Sequence, residues 1–125
     1  MARILVIDDD PDTREMLAQT LKPAGYEVIS AAYGREGVTR QRTSPVDLVI
    51  TDLYMPNQDG SETIRELRSS FPEVAIIAMS GRPDSGAMLA IAQNVAAVGI
   101  LPKPFGADEL IAAVARALGG QSPAR

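Results

Sequence analysis

The chain has 125 residues, enough for one domain and too few for two ordinary ones. Apolar residues make up 46% of it, which supports a packed core. The formal net charge of -4 (Lys+Arg 12 against Asp+Glu 16) argues against nucleic-acid binding driven by bulk charge, leaving only a local basic patch such as one at Arg40 and Arg42. Cysteine and histidine are both absent, which excludes disulfides, thiolate or imidazole metal ligands, histidine general-base catalysis and a phosphohistidine on this chain. Met1-Ala2-Arg3 runs straight into an apolar segment without a secretory leader pattern, and no stretch approaches the roughly 18–20 apolar residues of a membrane span. A soluble cytoplasmic protein, with no membrane and no direct nucleic-acid partner, is the expectation.

The first apolar run, Ile4-Leu5-Val6-Ile7, reads as a strand and ends in Asp8-Asp9-Asp10. Asp10 and Pro11 then suit an N-cap and first helical turn, with Leu17 and Leu21 one turn apart and Pro23 and Gly25 as the stop. A second strand is expected over 26–32, then a short polar helix over 34–42. Ser44-Pro45 turns the chain into a third strand, 46–50, which ends in Thr51-Asp52. The segment from Met55 to Gly60 has the composition of a loop. Ile64 and Leu67 stripe the next helix, with Glu62, Glu66, Arg65 and Arg68 on its wetter side. A fourth strand over 74–79 ends in Ser80-Gly81, and Gly81, Pro83 and Gly86 lead into an Ala-rich, core-facing helix over 88–95. A fifth strand over 98–101 ends in Pro102-Lys103-Pro104, and Leu110, Ile111, Val114 and Leu118 stripe a last helix that Gly119-Gly120 stops.

Strand and helix therefore alternate five times. Such alternation implies an α/β fold with a parallel sheet, helices on both faces and right-handed crossovers. Ligands of such sheets sit outside the carboxyl ends of the strands, which is where Asp8, Asp9, Asp52, Ser80 and Lys103 fall. Two like charges about 4 Å apart repel by roughly 4 kcal/mol at an effective dielectric near 20. Three carboxylates against one lysine thus call for a retained proton or a divalent cation, and oxygen-only ligands select a hard one, Mg²⁺. Asp52, which alone ends the central strand, is the best candidate to attack phosphorus, and the Asp8-Asp9 pair reads better as metal-holding. Lys103 would neutralise the phosphoryl oxygens and Ser80 would donate a hydrogen bond to one of them. Singly, each signal is weak: a strand-end Asp is usually a cap or turn residue, as Asp10, Asp59 and Asp84 are read, and Arg3 and Lys22 read as surface decoration.

The motifs ILVIDDDP (4–11), DLVITDLYMPNQDG (47–60), AIIAMSG (75–81) and GILPKPF (99–105), in this order and spacing, resemble the receiver domain of bacterial two-component response regulators, over about 3–118. The resemblance implies a flavodoxin-like doubly wound (βα)₅ fold with strand order 2-1-3-4-5. It implies Asp52 as phosphoacceptor and Asp8 and Asp9 as the Mg²⁺-holding pair, with Asp9, Asp52 and the backbone carbonyl of Tyr54 as ligands. Ser80 would be the switch hydroxyl, Lys103 the conserved lysine, and Lys103-Pro104 a cis-proline junction. Ile100 stands where the family often has an aromatic switch residue, and Gly81 where Ala is common; Tyr54 and Arg82 occupy positions that tune phosphoryl lifetime. Partners implied are a sensor histidine kinase or histidine phosphotransfer protein, and a downstream protein or output domain contacted through the helix 4–strand 5–helix 5 face. Such a domain catalyses only its own phosphorylation and dephosphorylation. The division expected is a receiver over 1–119 and a disordered tail or linker stub over 120–125, either standing alone or cut from a longer regulator or hybrid kinase.

Three alternatives remain at this stage. Asp8-x-Asp10 after a strand is similar to the motif of haloacid-dehalogenase-like phosphatases, which would make Asp8 the nucleophile, although no further acidic pair follows Lys103 and there is no room for a cap domain. A binding module that keeps the fold without phosphorylation is the second, to which Ile100 lends weight. A flavodoxin is the third, opposed by an acidic rather than Ser/Thr/Gly-rich first loop.

Overall fold

In the computed structural model the described residues are 2–55, 58–81 and 98–119, with only the backbone described at 54, 55, 58–61 and 98. The elements in chain order are β1 (Arg3–Ile7), α1 (Pro11–Leu21), β2 (Glu27–Ala31), α2 (Gly34–Thr43), β3 (Leu48–Asp52), β4 (Tyr54–Met55), β5 (Gln58–Asp59), α3 (Gly60–Ser70), β6 (Ala75–Ser80), β7 (Val98–Pro102) and α4 (Ala107–Ala117). Five strands form one parallel sheet in the order β2-β1-β3-β6-β7. This is the expected 2-1-3-4-5 arrangement, its switch point falling between β1 and β3. The helix expected over 88–95, the loop residues Arg82, Pro83 and Gly86, and the tail over 120–125 lie outside the described residues.

Side-chain alternation sends successive strand residues to opposite faces. Leu5, Ile7, Val49 and Ile76 pack with Val38 of α2 and Ile64 and Leu67 of α3. Ile4, Val6, Leu48, Ile50 and Ile77 pack on the other face with Leu17 and Leu21 of α1 and Leu110 and Val114 of α4. Both faces are thus covered by helices, which is why the central strands are apolar at nearly every position.

Element boundaries moved where a polar group intervened. β3 begins at Leu48 rather than Val46, because the Asp47 carboxylate accepts the Arg3 backbone N–H at 2.8 Å while its own N–H donates to Arg3 O at 2.9 Å. Tyr26 precedes β2 and is buried in the core. The segment read as a loop from Met55 contains two short strands, with Tyr54 paired to Asp59 and Met55 to Gln58 in antiparallel register. Turn composition signals a chain reversal there but not the pairing of the residues beside it. Asp10 caps α1 as expected: its carboxylate accepts from Asp12 N and from Thr13 Oγ1, each at 3.0 Å. Arg3 is half-exposed and pairs with Glu27, Nε to Oε2 at 3.3 Å.

The packing of α2 on β1 depends on a missing side chain. A Cβ on Gly37 would meet Cδ1 of Ile7 and stand 2.8 Å from its Cγ1, and Ile7 is fully buried. Gly37→Val should therefore lower stability by about 1–3 kcal/mol through overpacking, read as a lower urea midpoint at unchanged slope.

Candidate functional site

β1, β3 and β6 end side by side at the carboxyl edge of the sheet. Ile7 pairs with Thr51, and Asp52 with Met79, so Asp8 follows β1 beside the residue that ends β3. Ligand oxygens from Asp8, Asp9 and Asp52 all lie within 4.8 Å of one another. Asp8 and Asp52 are buried and Asp9 is exposed. Lys103 reaches the cluster from beyond β7: its Nζ is 3.5 Å from Asp8 Oδ2 and 3.5 Å from Asp52 Oδ1. The Lys103 backbone N–H donates to Ser80 O at 2.7 Å, which ties the lysine loop to the end of β6. The Lys103–Pro104 peptide bond is cis. Ser80 is fully buried.

Asp8 is held from several directions. Its N–H donates to Ala31 O at 3.1 Å, and its Oδ1 accepts from Asp10 N at 2.9 Å. Its Oδ2 is buried and accepts no hydrogen bond, with Lys103 as its charge partner. Burial raises its pKa above the ordinary aspartate value, and the charges of Asp52 and Asp9 push the same way; the Asp10 hydrogen bond and Lys103 oppose this without cancelling it.

Sequence reasoning missed Arg14. From the first turns of α1 its Nη1 donates to the Asp8 backbone carbonyl at 2.7 Å. This brings a second cation to the acidic turn, where the sequence count found only Lys103. The available signal was its position four residues after the Asp10 cap, on a helix that starts where β1 ends. Of the remaining expected positions, Tyr54 lies two residues beyond Asp52 in β4, and Ile100 sits on β7 paired with Ala78, its side chain 38% exposed.

The arrangement suits a small hard cation. All donors are oxygens, and the buried, hydrogen-bond-deficient Asp8 Oδ2 is the kind of atom that a cation would satisfy.

The chain matches the response regulator receiver domain family over residues 4–115. It belongs to that family. It is 39% identical over 110 residues to the response regulator MprA of Mycolicibacterium vanbaalenii, covering 88% of this chain and 47% of that protein. Against the MprA of Mycobacterium sp. (strain KMS), identity is 37% over 121 residues, 97% of this chain and 52% of that one. The chain thus spans about half the length of these curated relatives. Among solved structures, the chemotaxis protein CheY4 of Vibrio cholerae superposes with a TM-score of 0.87 at 33% identity, covering 94% of this chain and 99% of that one. The response regulator TrrA of Thermotoga maritima, solved in complex with Mg(2+)-BeF, gives a TM-score of 0.80 at 32% identity, with coverage of 94% and 100%. Family membership sets aside the phosphatase and flavodoxin alternatives.

The charge balance generates a pH test. Because the folded-state pKa of Asp8 is raised, its contribution favours the native state most below the unfolded value of 3.8 and is lost as pH rises through the higher folded value. Ionisation of the buried Asp8 therefore weakens the metal-free protein. Asp8→Asn keeps an acceptor for Asp10 N and removes that charge. In chelator, its unfolding free energy from urea titration at pH 7 should exceed that of the wild type by about 1 kcal/mol, with the gap narrowing as the pH falls.

Proposed function

We propose that this receiver domain takes a phosphoryl group onto Asp52 from the phosphohistidine of a sensor kinase or histidine phosphotransfer protein. The observation that carries this reading is the placement of Lys103 Nζ at 3.5 Å from both Asp8 and Asp52 within an all-oxygen cluster. An Asp52 oxygen attacks phosphorus, the donor's N–P bond breaks as the new O–P bond forms, and the histidine leaves and regains a proton from solvent. Asp8, Asp9 and Asp52, with the Tyr54 carbonyl, would hold Mg²⁺. When bound, the ion supplies positive charge against the phosphoryl oxygens. Lys103 stays paired to Asp52 and holds charge beside the accepting oxygen. Ser80, at the end of the neighbouring strand, would donate its hydroxyl to the new phosphoryl group.

Asp52 is consumed in forming the acyl phosphate and restored by its hydrolysis, so the domain turns over only its own phosphoryl group. Phosphorylation would bias a pre-existing two-state equilibrium. The surface expected to respond is formed by β7, α4 and the preceding helix expected over 88–95, and it would contact a downstream protein or an output domain. Residues 1–119 would form the receiver, and 120–125 a tail or linker. The setting proposed is cytoplasmic; no helix among the described residues is long and apolar enough to cross a membrane.

With Mg²⁺ and a small phosphodonor such as acetyl phosphate, the wild type should gain one acid-stable, hydroxylamine-labile phosphoryl group by intact-mass measurement. Asp52→Asn should gain none, and Lys103→Ala should incorporate it at least about tenfold more slowly, the loss of one charge-stabilising group. Uptake persisting in Asp52→Asn would assign the chemistry to another carboxylate, and no uptake by the folded wild type would leave a binding module on this fold.

A further inference from the structure

Arg14 has no part in the phosphoryl chemistry proposed above, yet it touches the acidic turn. It is half-buried in the first turns of α1, and its backbone N–H donates to Asp10 O at 3.1 Å. Asp10 in turn caps the helix by accepting from Asp12 N and Thr13 Oγ1. The base of the Arg14 side chain is therefore fixed. From there the guanidinium reaches back six residues, and Nη1 donates to the Asp8 carbonyl at 2.7 Å. Asp8, Asp9, Asp10 and Asp12 are its neighbours in the chain, but among the described residues Arg14 makes no ion pair. In a turn rich in carboxylates, its partner is the backbone.

What that bond fixes follows from peptide geometry. The Asp8 carbonyl belongs to the planar unit that joins Asp8 to Asp9. Two Cα atoms leave from that one plane, and each carries a carboxylate of the cluster. The other polar atoms of Asp8 are held as well: its N–H on Ala31 O at 3.1 Å, its Oδ1 by Asp10 N at 2.9 Å and its Oδ2 at 3.5 Å from Lys103 Nζ. Asp9 has no such support. Its side chain is exposed and makes no hydrogen bond or ion pair among the described residues.

Rotation of the peptide between Asp8 and Asp9 would swing the Asp9 carboxylate away from its like-charged neighbours and relieve their repulsion. The Arg14 bond opposes that rotation, and a bond from a charged donor is stronger than a neutral one. We infer that Arg14 is a positioning residue for the cation-holding acids: by fixing the Asp8 carbonyl it keeps the Asp9 carboxylate facing Asp8 and Asp52 before an ion arrives. The inference rests on the reading of Asp8, Asp9 and Asp52 as Mg²⁺ ligands.

Two other roles for Arg14 have different signatures. A guanidinium that acted only as a charge would repel a dication, so its loss would tighten Mg²⁺ binding. One that only supported the fold would, when lost, depress phosphoryl uptake at every Mg²⁺ concentration. Loss of a positioning residue weakens Mg²⁺ binding but leaves uptake at saturating Mg²⁺ intact, because the bound ion then holds Asp9 itself.

The test compares the wild type with Arg14→Met, which keeps an apolar stem and loses every donor, and Arg14→Lys, which keeps the charge and one donor group without the planar reach. In calorimetric titration with Mg²⁺, Arg14→Met should bind about tenfold more weakly than the wild type, as expected on removing a group that orients a metal ligand. Arg14→Lys should fall between them, about threefold weaker than the wild type. With acetyl phosphate, the Mg²⁺ concentration for half-maximal uptake should rise in step, while the rate at saturating Mg²⁺ stays within about twofold of the wild type. Where Arg14→Met fails to fold, Arg14→Lys carries the test, and affinity equal to the wild type's would then overturn the inference. So would a folded Arg14→Met that binds Mg²⁺ as tightly or more tightly, or one whose uptake stays below about half the wild-type rate at saturating Mg²⁺. A folded wild type that takes up no Mg²⁺ would instead overturn the underlying metal reading, and this inference with it.

Discussion

Like-charge crowding at one edge of a parallel sheet is the constraint from which the functional argument follows. Three carboxylates that approach within 4.8 Å of one another repel strongly unless positive charge is built in beside them. The fold supplies that charge at two points. Lys103 reaches two of the acids directly, and Arg14 binds the carbonyl of the residue that carries the most buried of them. Asp8 keeps a raised pKa all the same, first because it is buried and then because Asp52 and Asp9 stand beside it. A dication would relieve that crowding, which is why the proposed chemistry includes one.

The sheet makes this crowding unavoidable. Parallel strands send all their carboxyl ends to one edge, and in-register pairing places Asp8, Asp52 and Ser80 at the ends of successive neighbours. Helices on both faces leave that edge and its opposite as the places where polar side chains gather. The opposite edge carries Asp47 and Glu73 above Gln41. The two ends differ in what they hold. One is a cluster of oxygens with engaged cations. The other is a concavity lined by Val46, Phe71 and Val74 together with the Gln41 side chain.

Much of this was legible in the amino-acid sequence because strand-end residues are marked by the runs they end. ILVIDDD and LVITD each place an acid directly after apolar residues, and no packing information is needed to see that these acids share an edge. The cap at Asp10 was equally local. Features that depend on contacts between distant segments were harder to see. The start of β3 shifted because Asp47 answers a backbone N–H 44 residues away. Arg14 looked like any helical arginine until α1 was placed against the end of β1. Gln41 reads as a polar residue on a polar helix, and only tertiary packing buries it on Val46 N. Local propensity carries no term for such pairings.

The most direct measurement of the central claim is a calorimetric titration of the folded, metal-free protein with Mg²⁺, run beside Asp9→Asn. The account predicts one Mg²⁺ per chain, bound at least about tenfold more weakly when the exposed Asp9 carboxylate is replaced, since removal of one of few carboxylate ligands is costly. A folded wild type that takes up no Mg²⁺, or an Asp9→Asn protein that binds it as tightly, would contradict the account.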